Sequence, residues 1–146
     1  MSIEDDVALL ERVPTLRLLG NTALRMLAIG SEQRDFARGD RLFNAGDEAD
    51  AGYIVQRGAF RVEDGGAEII AGPGALIGEL ALIVAMRRPS SAIAIEHSSV
   101  IRVSRSLFQR VLESDPAAAQ RLRDEFTSRT SQIASDILMA GAKLSI

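Results

Sequence analysis

The chain has 146 residues, 47% of them apolar and 25% charged, with a net charge of -3, one histidine and no cysteine. That length suits a single domain with a sizeable core, and the balance argues against a disordered chain or a general nucleic-acid binder. Without cysteine there is no disulfide scaffold or thiolate chemistry; zinc sites usually draw on several His and Cys, and a Ser-His-Asp triad needs its histidine placed by a carboxylate, so a single histidine in a turn argues against a metal or triad enzyme.

The chain opens in a helical pattern. Ser2 is a candidate cap for a helix carrying Val7, Leu10 and Val13 on one side, and Pro14 ends it or bends the chain. A second short helix starts at Asn21 or Thr22, with Leu24, Met26, Leu27 and Ile29 as its apolar positions and Gly30 as a left-handed C-terminal residue. From Gln33 to Arg102 the period changes to alternation and short apolar runs. Strands are expected at 34–37, 41–44, 52–56, 59–63, 68–71, 92–96 and 100–103. Turns fall at Arg38-Gly39-Asp40, Gly46-Asp47-Glu48, Arg57-Gly58 and Asp64-Gly65-Gly66, and His97, after Glu96, reads as a surface turn residue. Short strands at this spacing imply an antiparallel barrel or sandwich, and a jelly roll fits best.

Helical pattern returns at Ser104, a cap for a helix that turns Leu107, Phe108, Val111 and Leu112 inward. Asp115-Pro116 is a second cap, with proline at the first helical position. Leu122, Phe126, Ile133 and Ile137 then mark a stripe along a helix of roughly 35 Å, which either folds over the barrel or pairs with a second chain. No linker or repeat divides the chain. The expected organisation is one domain over 1–146: N-terminal helices (1–32), jelly roll (33–103) and C-terminal helices (104–146). The acidic N-terminus and the lack of any run of about 18 apolar residues point to a soluble, cytoplasmic protein without a membrane segment.

The chemistry concentrates in 72–92, GPGALIGELALIVAMRRPSSA. Gly74 and Gly78 permit close approach of backbone to a phosphate, a helix beginning at Glu79 offers unpaired N–H groups to an anion, and Arg87 and Arg88 add positive charge. The same residues also read as a tight turn before a core segment and a solvated arginine pair.

With the flanking patterns included, the chain resembles the cyclic-nucleotide-binding domain of catabolite activator proteins, protein kinase A regulatory subunits and cyclic-nucleotide-gated channels. FARGDRLFNAGDEAD resembles the family's early strand pair and loop, GYIVQRGAFRV its glycine-marked third and fourth strands, and IGELAL its phosphate-binding cassette, with Ile77 where phenylalanine is common. The resemblance implies a mainly β fold with α caps: an eight-stranded antiparallel jelly-roll barrel, N-terminal helices, a short phosphate-binding helix in the cassette and C-terminal helices.

The resemblance also implies roles. Gly78 and the backbone of Leu80 and Ala81 face the cyclic phosphate, Glu79 accepts from the ribose 2′-OH, and Arg88, nine residues after Glu79, binds the phosphate, with Arg87 as the alternative contact. Pro89 departs from the family pattern, because it has no N–H to offer the phosphate; Ser90 and Ser91 are candidates to compensate and to contact a purine. Phe126, Arg129 and Ile133 are candidates for a lid over the base. The expected function is non-enzymatic sensing of cyclic AMP, with cyclic GMP the other candidate ligand, transmitted by altered packing of the C-terminal helices. No cofactor, metal, DNA-reading motif or membrane partner is expected. A homodimer through the C-terminal helix and an unidentified downstream protein are the expected partners. The alternative is a degenerate fold serving as a ligand-independent interaction or dimerisation module. A metal-binding enzyme of the cupin-like barrels is disfavoured by the single histidine.

Overall fold

The computed structural model describes residues 2–125, apart from 65, together with 127 and 128. Helix α1 (Ile3–Glu11) begins as expected at Ser2. Its hydroxyl accepts from the Asp5 amide at 3.1 Å while the Asp5 carboxylate accepts from the Ser2 amide, so two otherwise unpaired donors of the first turn are satisfied. Pro14 opens a separate four-residue helix, α2 (Pro14–Arg17), where its missing N–H costs nothing. Helix α3 (Asn21–Gly30) buries Ala23, Leu24, Leu27 and Ala28.

Two expectations for α3 are corrected. Met26 and Ile29 are 37% and 68% exposed, because at about 100° per residue they lie opposite the face set by Leu24 and Leu27. Gly30 is helical rather than left-handed; a Cβ there would come within 2.6 Å of Leu107, so glycine lets α3 pack closely against the helix that carries Leu107.

Among the described residues ten strands follow: β1 (Glu32–Phe36), β2 (Arg41–Phe43), β3 (Glu48–Ala49), β4 (Ala51–Arg57), β5 (Phe60–Asp64), β6 (Ala67–Ala71), β7 (Leu76–Ile77), β8 (Met86–Arg87), β9 (Ala92–Ala94) and β10 (Ser98–Ser104). Eight form two four-stranded sheets, β1-β10-β4-β7 and β2-β9-β5-β6, and β3 pairs with β8 as a separate two-stranded ladder. The result is the expected jelly roll, with two facing sheets in place of a closed barrel. Three two-residue strands were not expected. Glu48 belongs to β3 as well as to the turn before it, β7 precedes the cassette, and β8 contains Arg87. The expected strand over 92–96 ends at Ala94, and His97 lies in the bend before β10, as read from the sequence.

Strand β4 explains how the two halves of the core join. Ala51, Tyr53 and Val55 face the inside of the sandwich with Phe60, Ile77, Ala94 and Val100. Ile54, between them, faces the helical layer with Ile101, Val103, Leu82 and Phe108. A strand covered on both faces has no polar face to show, hence its unbroken apolar run.

The C-terminal caps are as expected. Ser104 Oγ accepts from the Leu107 amide at 3.1 Å to start α4 (Arg105–Ser114), and Asp115 Oδ1 accepts from the Ala118 amide at 3.1 Å to start α5 over 116–125. Phe126, Arg129, Ile133 and Ile137, on which the expected lid and long stripe depended, lie outside the described residues. Among the described residues no helix is long and apolar enough to cross a membrane.

One titration is built into the first turn. Burial, with the Asp5 carboxylate adding, raises the Asp6 carboxyl above its ordinary 3.8, and Oδ1 is buried without a hydrogen-bond partner. A carboxyl raised in the folded state favours folding most when protonated, so its contribution declines as pH rises from 3.8 through the raised value. Asp6→Asn is therefore expected to raise the denaturation midpoint at neutral pH, with the gain shrinking toward about pH 4. Urea melts at the two pH values check this.

Candidate functional site

The cassette starts where the chain leaves β7. Gly78 has φ +79°, a left-handed conformation open to glycine at little cost, and a Cβ there would come within 2.5 Å of Arg88 Nη1. Glycine is thus required twice, by the turn and by the arginine lying against it. A 3-10 turn, Glu79–Leu82, follows in place of the longer helix suggested by Glu79 to Ala85. Ala81 donates its amide to Gly78 O at 3.2 Å within that turn, and Ala81 and Leu82 anchor it in the core while Leu80 is 53% exposed. Four residues suffice because Ile83 and Val84 bond back to Leu80 O, at 3.0 and 3.1 Å, and the chain then joins β8.

Residue parity along β8 separates the two arginines. Arg87 pairs with Glu48 in the β3–β8 register and sends Nη1 to Gly46 O at 3.0 Å, on the exposed side. Arg88 points the other way and is only 5% exposed. Its backbone is clamped to the 46–47 loop: its amide donates to Asp47 O at 2.7 Å and its carbonyl accepts from the Gly46 amide at 2.8 Å. Nη2 donates to Ala51 O at 2.8 Å, and the guanidinium carbon stands 4.2 Å from the Phe43 ring centre and 5.5 Å from that of Tyr53.

Those rings offset part of the cost of a buried cation. Burial still lowers the Arg88 pKa from its ordinary value, opposed by Tyr53 and Asp50; an arginine so perturbed stays charged at any ordinary pH. Its Nε has no hydrogen-bond partner, and Arg88 makes no ion pair among the described residues. Nearby Arg102 shows the contrast. Burial acts to lower its pKa, but Tyr53 and Asp50 outweigh that and raise it, and Arg102 pairs with the Asp50 carboxylate at 3.1 Å.

Arg88 opens onto a cavity of about 230 Å³ lined by Gly78, Glu79, Ser90, Phe43 and Val62, among others. Of the residues singled out in the sequence, Gly78, Glu79, Leu80, Ala81, Arg88, Pro89 and Ser90 all meet there. Gly74, Arg87 and Ser91 do not line it, and Gly74 borders a different cavity beside Thr15. Ser91 Oγ accepts from the Ala45 amide at 2.8 Å and its carbonyl from the Glu63 amide at 3.2 Å, so Ser91 joins two loops. Glu79 sits at the cavity edge, where its Oε1 accepts from the Thr15 hydroxyl at 3.1 Å. Sequence reading missed Phe43, Tyr53, Ala51 and Thr15, all remote from 72–92 in the chain and brought to it only by packing. A buried cation beside a glycine turn and a hydroxyl suits an anion that carries its own oxygen acceptors, such as a phosphate ester.

Fold and cavity together define a jelly roll in which a glycine turn and a buried arginine face one small cavity. A family model described as cyclic nucleotide-binding domain matches residues 33–115, and the chain belongs to that family. A cyclic nucleotide-binding-like protein from Brucella abortus is 38% identical, with a TM-score of 0.67 over 75% of this chain and 98% of that one. A lysophospholipase of Neurospora crassa is 28% identical over 141 residues, 92% of this chain and 9% of its own length. A cAMP-dependent protein kinase regulatory subunit of Debaryomyces hansenii is 28% identical over 120 residues, 74% of this chain and 26% of its own. The chain thus spans only a small part of those two relatives, and the shared part is the cyclic nucleotide-binding domain.

Proposed function

We propose that the chain is a non-enzymatic, cytoplasmic sensor of 3′,5′-cyclic AMP. The observation that carries this reading is Arg88, a cation 5% exposed with no ion pair among the described residues, facing a small cavity beside a left-handed glycine. In this reading the Arg88 fork takes two oxygens of the cyclic phosphate, Gly78 lets the backbone approach, and the Ser90 hydroxyl adds a donor. The backbone of Leu80 and Ala81 borders the same phosphate. Glu79 accepts from the ribose 2′-OH.

Pro89 supplies no N–H, so the phosphate has one backbone donor fewer, a loss of roughly 1.5–3 kcal/mol for a hydrogen bond to a charged group. The cavity, at about 230 Å³, is below the usual range for a whole small ligand, which suits a phosphoribose inside and a purine outside. Phe126, Arg129 and Ile133 are the proposed cover for that purine. Binding would shift the population toward a state in which the 3-10 turn and the helices after β10 pack differently, and the output would be a homodimer or a downstream protein contact. The kinship with a cAMP-dependent kinase regulatory subunit supports cyclic AMP over cyclic GMP.

Calorimetric titration of nucleotide-stripped protein with each nucleotide tests the reading. Cyclic AMP is expected to bind more tightly than cyclic GMP, and Glu79→Ala to weaken it by roughly tenfold or more, the value of one hydrogen bond to a charged acceptor. Absence of heat at millimolar nucleotide would instead favour a ligand-independent interaction module, the alternative to which Pro89 points.

A further inference from the structure

We propose that Thr15 is a positioning residue for Glu79, and that the discrimination between a ribose and a 2′-deoxyribose depends on it; this rests on the cyclic-nucleotide reading above. The two residues are 64 positions apart in the chain, yet Thr15 Oγ1 donates to Glu79 Oε1 at 3.1 Å. Thr15 is 6% exposed and fixed on both sides, by Val13 (3%) and Leu16 (0%) in the helical core. Pro14 presets the backbone at the first position of α2, and the Arg17 amide closes that turn on Val13 O at 2.9 Å. Threonine is branched at Cβ and has few rotamers, so its hydroxyl is a rigid donor.

Glu79 is the residue that Thr15 meets. It is a long side chain at the first position of a four-residue turn, and it borders two cavities: the one holding Arg88, and one of about 430 Å³ lined by Thr15, Pro14, Gly74 and Leu76, among others. The bond from Thr15 holds Oε1 at the edge of the Arg88 cavity. A carboxylate has about four lone-pair sites, so accepting from Thr15 is compatible with accepting from a sugar hydroxyl as well. Thr15 therefore contributes to fixing the carboxylate before ligand arrives, which is preorganisation. It also ties the recognition of one hydroxyl to the N-terminal helical layer, outside the matched family region of 33–115.

The test compares cyclic AMP with 2′-deoxy-cyclic AMP, by calorimetry on the full chain, for wild type, Thr15→Val, Thr15→Ala and Thr15→Ser. Wild type is expected to prefer the ribose form by about tenfold or more. Thr15→Val, nearly the same shape without the donor, is expected to lose most of that preference by weakening cyclic AMP while leaving the deoxy form almost unchanged. Thr15→Ala repeats the loss with a smaller side chain, and Thr15→Ser restores the preference. An equal fall for both nucleotides in Val and Ala variants that melt as wild type does would make Thr15 merely structural and overturn the proposal. Tighter cyclic AMP binding by Thr15→Val would also overturn it, since Thr15 would then compete with the ribose. If wild type binds neither nucleotide, the sensor reading itself fails. If wild type discriminates and Thr15→Val does so equally, only the role of Thr15 fails.

Discussion

Arg88→Ala is expected to weaken cyclic AMP binding by roughly two to three decades, about 3–4 kcal/mol, while the ligand-free protein melts close to wild type. The two halves of this result have one cause. Arg88 is buried with Nε unsatisfied and with one carbonyl bond, Nη2 to Ala51 O, for its charge. A cation in that state contributes little to folding, because the cost of burying it is only partly returned by Ala51 O and the Phe43 and Tyr53 rings. Under the proposed function its value lies in the ligand, which would complete its hydrogen bonds in a site shielded from water. Arg88→Lys is expected to recover only part of the affinity, since an ammonium keeps the charge but not the fork. Arg87→Ala should leave affinity within a few fold, because Arg87 is exposed and bonded to Gly46 O.

Gly58→Ala is expected to damage the fold severely, costing roughly 3 kcal/mol or more and about 10 °C in Tm. Gly58 turns the chain from β4 into β5 at φ +78°, where a Cβ alone costs about 1–2 kcal/mol. The added carbon would also come within 2.5 Å of His97 O and 2.7 Å of Ser98 Cα, both backbone atoms that cannot swing aside. The surrounding contact is tight because Ser98, 1% exposed, ties the β4–β5 turn to the bend before β10. Its Oγ accepts from the Ala59 amide at 3.1 Å and donates to Glu96 O at 2.9 Å. A thermal melt with a wild-type midpoint would show that the bend gives way cheaply.

What was legible in the sequence was what a few adjacent residues decide. Ser2, Ser104 and Asp115-Pro116 cap helices through bonds spanning three residues, and Arg57-Gly58 makes its turn by backbone conformation alone. The cassette was legible for a similar reason, since Gly78, Glu79, Arg88 and Ser90 meet within thirteen residues and line one cavity. What was not legible depends on partners far along the chain. Met26 and Ile29 are as apolar as Leu24 and Leu27, and only the layer packed on α3 decides which pair is covered. Arg87 and Arg88 are equivalent until the two-residue ladder β3–β8, too short to leave a period, turns one out and the other in. Phe43 stacks on Arg88 across 45 positions, and Thr15 meets Glu79 across 64, contacts that no spacing rule anticipates.

The central claim is that a cyclic phosphate sits on Arg88 in the cavity behind Gly78. Phosphorus NMR of cyclic AMP, recorded with protein in excess, tests it most directly. A shifted and broadened phosphate resonance is expected with wild type, and the sharp free resonance with Arg88→Ala at the same concentrations. An unshifted resonance with wild type, or a shift that Arg88→Ala leaves intact and Arg87→Ala abolishes, would contradict it.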